Sequence, residues 1–206
     1  MSCASLAWRQ GAVRALMLGL AALLLGACEA GGPKFAASDV TGSAFGRDFA
    51  LQDSDGRERT LADFRGKAVV LFFGYTQCPD VCPTTLATLA ETMKRLGPDA
   101  DRVQVLFVTV DPDRDTAALL RQYVPAFDRR FLGLRGDADA TARTAKEFKV
   151  IYEKVPGATP GTYTMDHSAG SYVFDPQGRL RLYVANGQGP DVFAHDLREL
   201  LRASST

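Results

Sequence analysis

The sequence predicts an α/β fold, with a central mixed β-sheet flanked by helices. Residues 68–74 are a continuous apolar run, which is typical of a central strand buried on both faces, and residues 103–110 predict a second buried strand. Segments with helical periodicity alternate with these runs, so the first half of the chain indicates parallel βαβ units. Near the end, residues 171–175 and 180–185 flank a Gly-containing turn and predict a hairpin that adds antiparallel strands.

The remaining elements complete this α/β pattern. Residues 49–52 and 57–61 flank the turn sequence Asp53-Ser54-Asp55-Gly56 and predict an N-terminal β-hairpin extension. Apolar residues recur at helical spacing from Leu86 to Leu96, and Asp137 is a candidate N-cap. Four stretches in all predict helices: residues 84–96, 116–123, 137–148 and 191–201.

The first 28 residues have the organisation of an export signal. Arg9 and Arg14 supply a basic start, and residues 15–27 form an apolar run that is too short for a comfortable membrane span. The run ends in Leu25-Gly26-Ala27-Cys28, which resembles the lipobox of bacterial lipoproteins, where the Cys is lipidated and becomes the N-terminus. Plain secretion with a free Cys28 is the alternative. We therefore expect a signal peptide over 1–27, a flexible tether over 28–44 and one folded domain over 45–206.

The charge balance gives no support to a nucleic-acid partner. The chain has 24 basic and 24 acidic residues. Removal of the first 28 residues takes away two arginines and no acid, which leaves 22 basic and 24 acidic residues. Nucleic-acid binding usually needs a basic face, so this composition predicts a mixed, solvated surface.

The cysteines reduce to one informative pair. Cys3 leaves with the signal peptide and Cys28 is taken by lipid, so Cys78 and Cys82 remain. Outside the cytosol such a pair oxidises unless something keeps it reduced or metallated. A disulfide and a metal site are therefore both open at this point.

The position of the Cys pair favours a functional site. Cys78 follows the carboxyl end of a predicted central strand, where open α/β sheets bind ligands. A helix comes next, beginning between Pro79 and Pro83. The partial positive charge at a helix start favours the thiolate, the form that binds metals and attacks disulfides. Two thiols four positions apart can also reach one point.

A distant histidine extends the pair to three metal donors. His167 lies in Asp166-His167-Ser168, and two thiolates with one imidazole suit a soft metal such as Cu(I). A structural zinc site is disfavoured because such sites normally have four protein ligands. Cu(II) would need a fourth ligand, which the sequence does not identify.

Three separated motifs resemble the Sco/SenC family. The strand–CxxxC–helix arrangement itself resembles a thioredoxin-like fold with one residue inserted between the cysteines. The motifs are Gly74-Tyr75-Thr76-x-Cys78-Pro79-Asp80-x-Cys82-Pro83, Val110-Asp111-Pro112-x-Arg114-Asp115-Thr116, and Asp166-His167-Ser168.

The resemblance implies a membrane-tethered, thioredoxin-like copper protein. Such proteins help to assemble the dinuclear copper site of cytochrome c oxidase. By position, the ligands of Cu(I) and Cu(II) are Cys78, Cys82 and His167. The implied partners are the copper-site subunit of the oxidase, other periplasmic copper chaperones or thiol-disulfide reductases, and the membrane through the lipid anchor.

Other residues are candidates for the surroundings of these ligands. Asp111, Tyr75 and Asp166 are candidates for a supporting shell, although a turn role for Asp111 is equally favoured. Met165 is more typical of a packed core residue than of a thioether ligand. His195, in the last helix, is expected at the surface.

Three functions compete on these residues. A metallochaperone needs all three donors. A thiol-disulfide oxidoreductase would use Cys78 as the attacking thiolate and Cys82 as the resolving one, with no need for His167. A peroxidase has weak support from Thr76-x-Cys78, and the nearby second cysteine argues against it.

Overall fold

A computed structural model describes residues 32–204, and from Lys34 onward the described residues form one compact unit. The predicted signal peptide, Cys3 and Cys28 lie outside the described residues. Within the described range there are ten strands and four α-helices. The strands are β1 (Ser38–Asp39), β2 (Leu51–Asp53), β3 (Glu58–Arg59), β4 (Ala68–Gly74), β5 (Val103–Thr109), β6 (Leu132–Arg135), β7 (Tyr152–Pro156), β8 (Tyr163–His167), β9 (Ser171–Phe174) and β10 (Leu180–Val184). The helices are α1 (Val81–Leu96), α2 (Ala117–Tyr123), α3 (Ala138–Glu147) and α4 (Pro190–Ala203).

Eight of the strands form one mixed sheet in the order β1-β10-β9-β4-β5-β6-β2-β3. β4, β5 and β6 are parallel, and the other pairings are antiparallel. Every residue of β4 is buried, as its apolar run predicts. β7 and β8 pair only with each other and form a separate two-stranded ribbon. The predicted mixed α/β sheet is confirmed.

Helices cover both faces of the sheet. Neighbouring residues of a strand point to opposite faces, so the side chains of Phe72 and Phe73 lie on opposite sides of the sheet. Phe72 contacts Phe107, on the face where α1 packs against α4 and Cys82 approaches the end of β4. Phe73 contacts Phe148, directly after α3, and this pair marks the opposite layer.

The turns of the β2–β3 and β9–β10 hairpins have the same local hydrogen-bonding pattern. Asp53 accepts hydrogen bonds from the backbone N–H groups two and four residues later, and Asp175 does the same in the β9–β10 turn. In each turn the residue three positions after the Asp is a glycine with positive φ, Gly56 or Gly178, a conformation that glycine adopts at little cost. Both hairpins were predicted from strand-like runs on either side of a Gly-containing turn, and both are present.

The segment expected to be a flexible tether is ordered well before residue 44. β1 pairs with β10, and the backbone N–H groups of Ala36 and Ala37 donate to the buried carboxylate of Asp196 at 2.8 and 2.9 Å. The compact unit therefore begins near Lys34 and not at residue 45. The prediction was wrong here because a two-residue edge strand and a carboxylate in a distant helix leave no local pattern.

Strands β6, β7 and β8 also went unpredicted. β6 has only four residues, and the ribbon strands have the sequences YEKVP and YTMDH, in which most side chains are exposed. β7 lacks the apolar alternation that marks a half-buried strand, and β8 alternates over only five residues with Met165 as its one buried side chain. Within residues 32–204, no helix combines the length and the apolar character needed to cross a membrane.

Replacement of Gly74 should destabilise the domain and disturb its thiol pair. A Cβ at this position would lie 2.8 Å from Cys82 Sγ and 2.8 Å from a ring carbon of Phe107. We expect Gly74→Ala to lower the free energy of unfolding by about 1–3 kcal/mol, the usual cost of overpacking. Urea denaturation of the reduced domain measures this. Gly189→Ala is the control, because a Cβ there meets nothing within 4 Å, and equal losses in the two variants would contradict the account.

Candidate metal centre

Cys78, Cys82 and His167 converge at the carboxyl end of β4. Cys78 lies in the turn after the strand, and Cys82 is the second residue of α1. His167 is the last residue of β8, so the ribbon places it next to cysteines that are far away in the sequence. The two Sγ atoms and an imidazole nitrogen all lie within 4.8 Å of one another. Among the described residues, these three form the group of possible metal ligands whose donor atoms lie close enough together to hold one ion.

The imidazole is held in one orientation. His167 Nδ1 lies 3.0 Å from the carbonyl oxygen of Ser168, which makes Nδ1 the protonated, donating nitrogen. Nε2 is then free to act as an acceptor, and it lies 3.5 Å from Cys82 Sγ. The rings of Tyr75 and Phe72 pack edge-on against the imidazole, with centroids 5.9 and 6.3 Å away. The nitrogen that faces the thiols is therefore the one able to bind a metal.

The two cysteines have different environments. Both are free thiols, with Cys78 half-buried and Cys82 fully buried. The backbone N–H of Cys82 donates to Cys78 Sγ at 3.4 Å. Burial raises the pKa of the Cys82 thiol strongly, although a hydrogen bond from the backbone of Tyr75 opposes the shift. The expectation that the helix start would favour a Cys82 thiolate is therefore wrong for the metal-free protein, because burial outweighs the helix dipole.

The donor set and its spacing fit a soft metal. Two thiol sulfurs and one imidazole nitrogen are the ligand types that Cu(I) prefers among protein side chains. With metal–sulfur and metal–nitrogen bonds of about 2.3 and 2.0 Å, ligands of one ion lie roughly 3.6–4.0 Å apart. The observed Cys82–His167 separation of 3.5 Å is already close to this range. The other separations are at most 4.8 Å and need only a modest contraction to reach it.

A buried carboxylate fixes the loop that contains Cys78. Asp115 accepts a hydrogen bond from the backbone N–H of Thr76 at 3.0 Å and from its hydroxyl at 2.5 Å. Thr109, the last residue of β5, donates to the same carboxylate at 2.6 Å. Burial raises the pKa of Asp115, while these three hydrogen bonds act to lower it. The start of the Cys loop is thus tied to the neighbouring strand.

Asp111 belongs to a second polar group beside the site. It is buried, and its carboxylate accepts from the hydroxyl of Tyr163 at 2.8 Å and pairs with Arg114. Its own carbonyl accepts from the backbone N–H groups of Arg114 and Asp115, so it also forms a turn. Both roles considered for Asp111 are therefore present.

The other residues named from the sequence have distinct places. Tyr75 is buried against His167 and forms a wall of the site. Asp166 is exposed, and it acts on His167 as a nearby charge that raises the pKa of the imidazole, against the stronger effect of burial. Met165 is buried in the core, and His195 is exposed with Nε2 3.0 Å from the Lys34 carbonyl.

Sequence reasoning missed three groups at this site. The Ser168 carbonyl is a backbone atom and leaves no sequence signal. Asp115 and Arg114 lie inside a motif used for the family resemblance, yet no role was assigned to either. Their spacing after β5 could have placed them at the strand end, but their partners lie 39 and 49 residues away in the sequence.

Acidification should destabilise the reduced, metal-free protein through His167. Burial lowers the pKa of His167 below its usual 6.5, so the unfolded chain takes up a proton at a pH where the folded site keeps the imidazole neutral. The free energy of unfolding is therefore unaffected by His167 above about pH 6.5, and it decreases as the pH falls through the lowered pKa of the folded protein. Urea denaturation between about pH 8 and pH 5 measures the loss.

His167→Gln should reduce this pH dependence, whereas His195→Gln, at the exposed histidine, should keep it. If the parent and His167→Gln lost the same stability on acidification, His167 would not be the group responsible.

Comparison with known proteins gives a consistent result. A profile of the SCO1/SenC family matches residues 37–202. The mitochondrial SCO2 homolog of Bos taurus is 39% identical over 158 residues, which are 76% of this chain and 59% of that protein. A SCO2-like protein of Rickettsia conorii is 32% identical over 154 residues, 74% of this chain and 75% of that protein. The chain thus spans about three-fifths of the bovine protein that it matches.

Solved structures show the same likeness. The structure of Bradyrhizobium japonicum ScoI with copper bound superposes with a TM-score of 0.70 and 40% identity, over 77% of this chain and 100% of that one. Apo Sco1 from Thermus thermophilus superposes with a TM-score of 0.73 and 40% identity, over 82% and 98% of the two chains. Because the family profile matches residues 37–202, which are nearly all of the described residues, the chain belongs to the SCO1/SenC family.

Proposed function

We propose that this protein is a membrane-tethered copper metallochaperone that delivers copper to, or prepares, the dinuclear copper site of cytochrome c oxidase. The convergence of Cys78, Cys82 and His167 within 4.8 Å supports the copper site most directly. Related structures of ScoI from Bradyrhizobium japonicum and Sco1 from yeast have copper bound. The oxidase as client rests on the family resemblance.

Copper is cargo in this proposal, and the site is built to accept and release it. Cys78 and His167 are half-buried and so partly open to a partner, whereas Cys82 is fully buried. A three-coordinate ion leaves room for an incoming ligand to add before another departs. Because burial keeps the Cys82 thiol protonated, copper uptake must expel that proton. Uptake and release are therefore linked to proton movement at the same sulfur.

His167→Ala should weaken Cu(II) binding much more than Cu(I) binding. Two thiolates can hold Cu(I) in linear coordination, but Cu(II) needs further donors. We expect one copper per reduced parent chain and a loss of Cu(II) affinity of at least about tenfold in the variant. Competition titrations with chelators of each oxidation state measure both affinities. His195→Ala, at the exposed histidine, is the control, and unchanged Cu(II) affinity in His167→Ala would remove His167 from the ligand set.

A thiol-disulfide oxidoreductase is a second candidate, and the unequal burial of the cysteines favours it. The half-buried Cys78 thiolate would attack one sulfur of a client disulfide, whose other sulfur leaves and takes up a proton. Cys82 would then lose its thiol proton to the departing client sulfur and attack Cys78, forming the Cys78–Cys82 disulfide and releasing the second client thiol. Two electrons pass to the client, and an external dithiol reductant must restore the pair.

Oxidation of the pair should abolish tight copper binding. A disulfide sulfur has lost the thiolate charge that copper needs, and only His167 would remain as a donor. We expect the oxidised protein to bind copper poorly and to recover one ion per chain after reduction with a dithiol. Metal analysis after desalting measures this, with Cys82→Ser as a control that cannot form the disulfide. Equal copper uptake by the oxidised and reduced protein would contradict the proposal.

Attachment through lipid on Cys28, outside the cytosol, completes the proposed function. The sequence motif at residues 25–28 supports acylation, and two acyl chains give stable attachment where one gives marginal binding. We expect Cys28→Ser to block lipidation and to shift the protein from the membrane fraction to the soluble fraction. Fractionation and mass spectrometry of the N-terminus measure this. An unmodified N-terminal Cys28 in the parent protein would rule out the lipid anchor.

A further inference from the structure

The ribbon that presents His167 is joined to the rest of the domain through a small number of side chains. β7 and β8 pair only with each other, and most of their residues are exposed. Ser168 closes the base of the ribbon, because its N–H donates to the Ile151 carbonyl and its hydroxyl accepts from the Ile151 N–H. These two bonds hold the ribbon strands together but do not dock them on the main sheet.

Arg114 connects the ribbon to the Cys loop. Its Nη1 donates to the carbonyl oxygen of Tyr163, at the start of β8, at 2.8 Å and to Oε1 of Gln77, next to Cys78, at 3.1 Å. Its Nε pairs with the buried carboxylate of Asp111. One guanidinium thus bridges the element that contains His167, the loop that contains Cys78 and the end of β5.

Aromatic contacts reinforce the same bridge. The guanidinium carbon lies 3.6 Å from the centroid of the Tyr163 ring and 5.7 Å from that of Tyr75, both within the range of cation–π attraction. Tyr163 in turn donates its hydroxyl to Asp111. The Nη2 atom of Arg114 is buried without a hydrogen-bond partner, so the group is held by the stack and the three other contacts.

We propose that Arg114 is a positioning residue for copper: through its contacts with Tyr163, Gln77 and Asp111 it keeps the ribbon docked so that His167 Nε2 faces the two thiols. This deepens the proposed copper function and rests on it. Lysine cannot replace the group, because its ammonium is a point charge that cannot bridge the three partners in one plane.

The first test uses metal-free, reduced protein and does not depend on copper. Arg114→Lys should cause a loss of hydrogen-exchange protection at the backbone amides of β7 and β8, with the protection of β4 and β5 unchanged. Arg135→Lys is the matched control, because the hydrogen bonds of the Arg135 guanidinium go to the carbonyls of Pro112 and Asp115 in the same loop and not to the ribbon. If both variants changed ribbon exchange equally, or neither did, the proposal would be overturned.

The second test uses Cu(II) and Cu(I) as probes. Arg114→Lys should lower Cu(II) affinity by about 10–100-fold, the usual effect of losing a group that orients a ligand, and change Cu(I) affinity by less than about threefold. It should also shift the sulfur-to-copper charge-transfer band and the electron paramagnetic resonance signal of the Cu(II) form toward those of His167→Ala. Arg135→Lys should retain the parent spectra.

The outcomes separate this inference from the function on which it rests. If His167→Ala itself binds Cu(II) like the parent, the ligand assignment fails, and the exchange experiment alone decides the docking role of Arg114. If His167→Ala changes the Cu(II) spectra and Arg114→Lys does not, the positioning role is wrong. Should Arg114→Lys not fold, Tyr163→Phe decides, since it removes only the hydroxyl that bonds to Asp111. That variant should shift the spectra in the same direction, and parent-like spectra would overturn the proposal.

Discussion

The close approach of α1 to the end of β4 is the constraint on which the site depends. Cys82 Sγ lies where only a residue without a side chain can end the strand, and Gly74 occupies that position. Phe107 closes the same space from β5. This contact buries Cys82 completely, so the metal centre lies against the end of β4 and not on the protein surface. Cys78, on a loop, and His167, on the ribbon, complete the group of donors around Cys82.

Burial gives the metal-free site its chemical character. It raises the pKa of the Cys82 thiol and lowers the pKa of the His167 imidazole, so both groups are neutral near neutral pH. Neutral donors avoid the cost of isolated buried charges, and they become ligands when a metal replaces the thiol proton. The orientation of the imidazole is already set by the Ser168 carbonyl. The site is thus preorganised in geometry, while the charge on Cys82 appears only when a metal binds.

The sequence predicted the parts of the fold that local chemistry specifies. The buried strands β4 and β5, the four helices and the two Asp-x-x-Gly-Arg turns follow from apolar runs, periodicity and turn residues. The ordered segment before residue 44 was missed because its partners are remote in the sequence. The ribbon was missed because most of its residues are exposed. At the site, the spacing and the family motifs identified all three donors that the structure brings together. The protonated state of Cys82 was not predictable, because it depends on how deeply the helix start is buried.

The most direct test of the copper centre is X-ray absorption at the copper edge of the Cu(I)-loaded, reduced domain. The account predicts two sulfur neighbours at about 2.3 Å and one imidazole nitrogen at about 2.0 Å, with the multiple-scattering pattern of a histidine ring. A first shell of sulfur alone, or one made only of nitrogen and oxygen, would contradict a centre built from Cys78, Cys82 and His167.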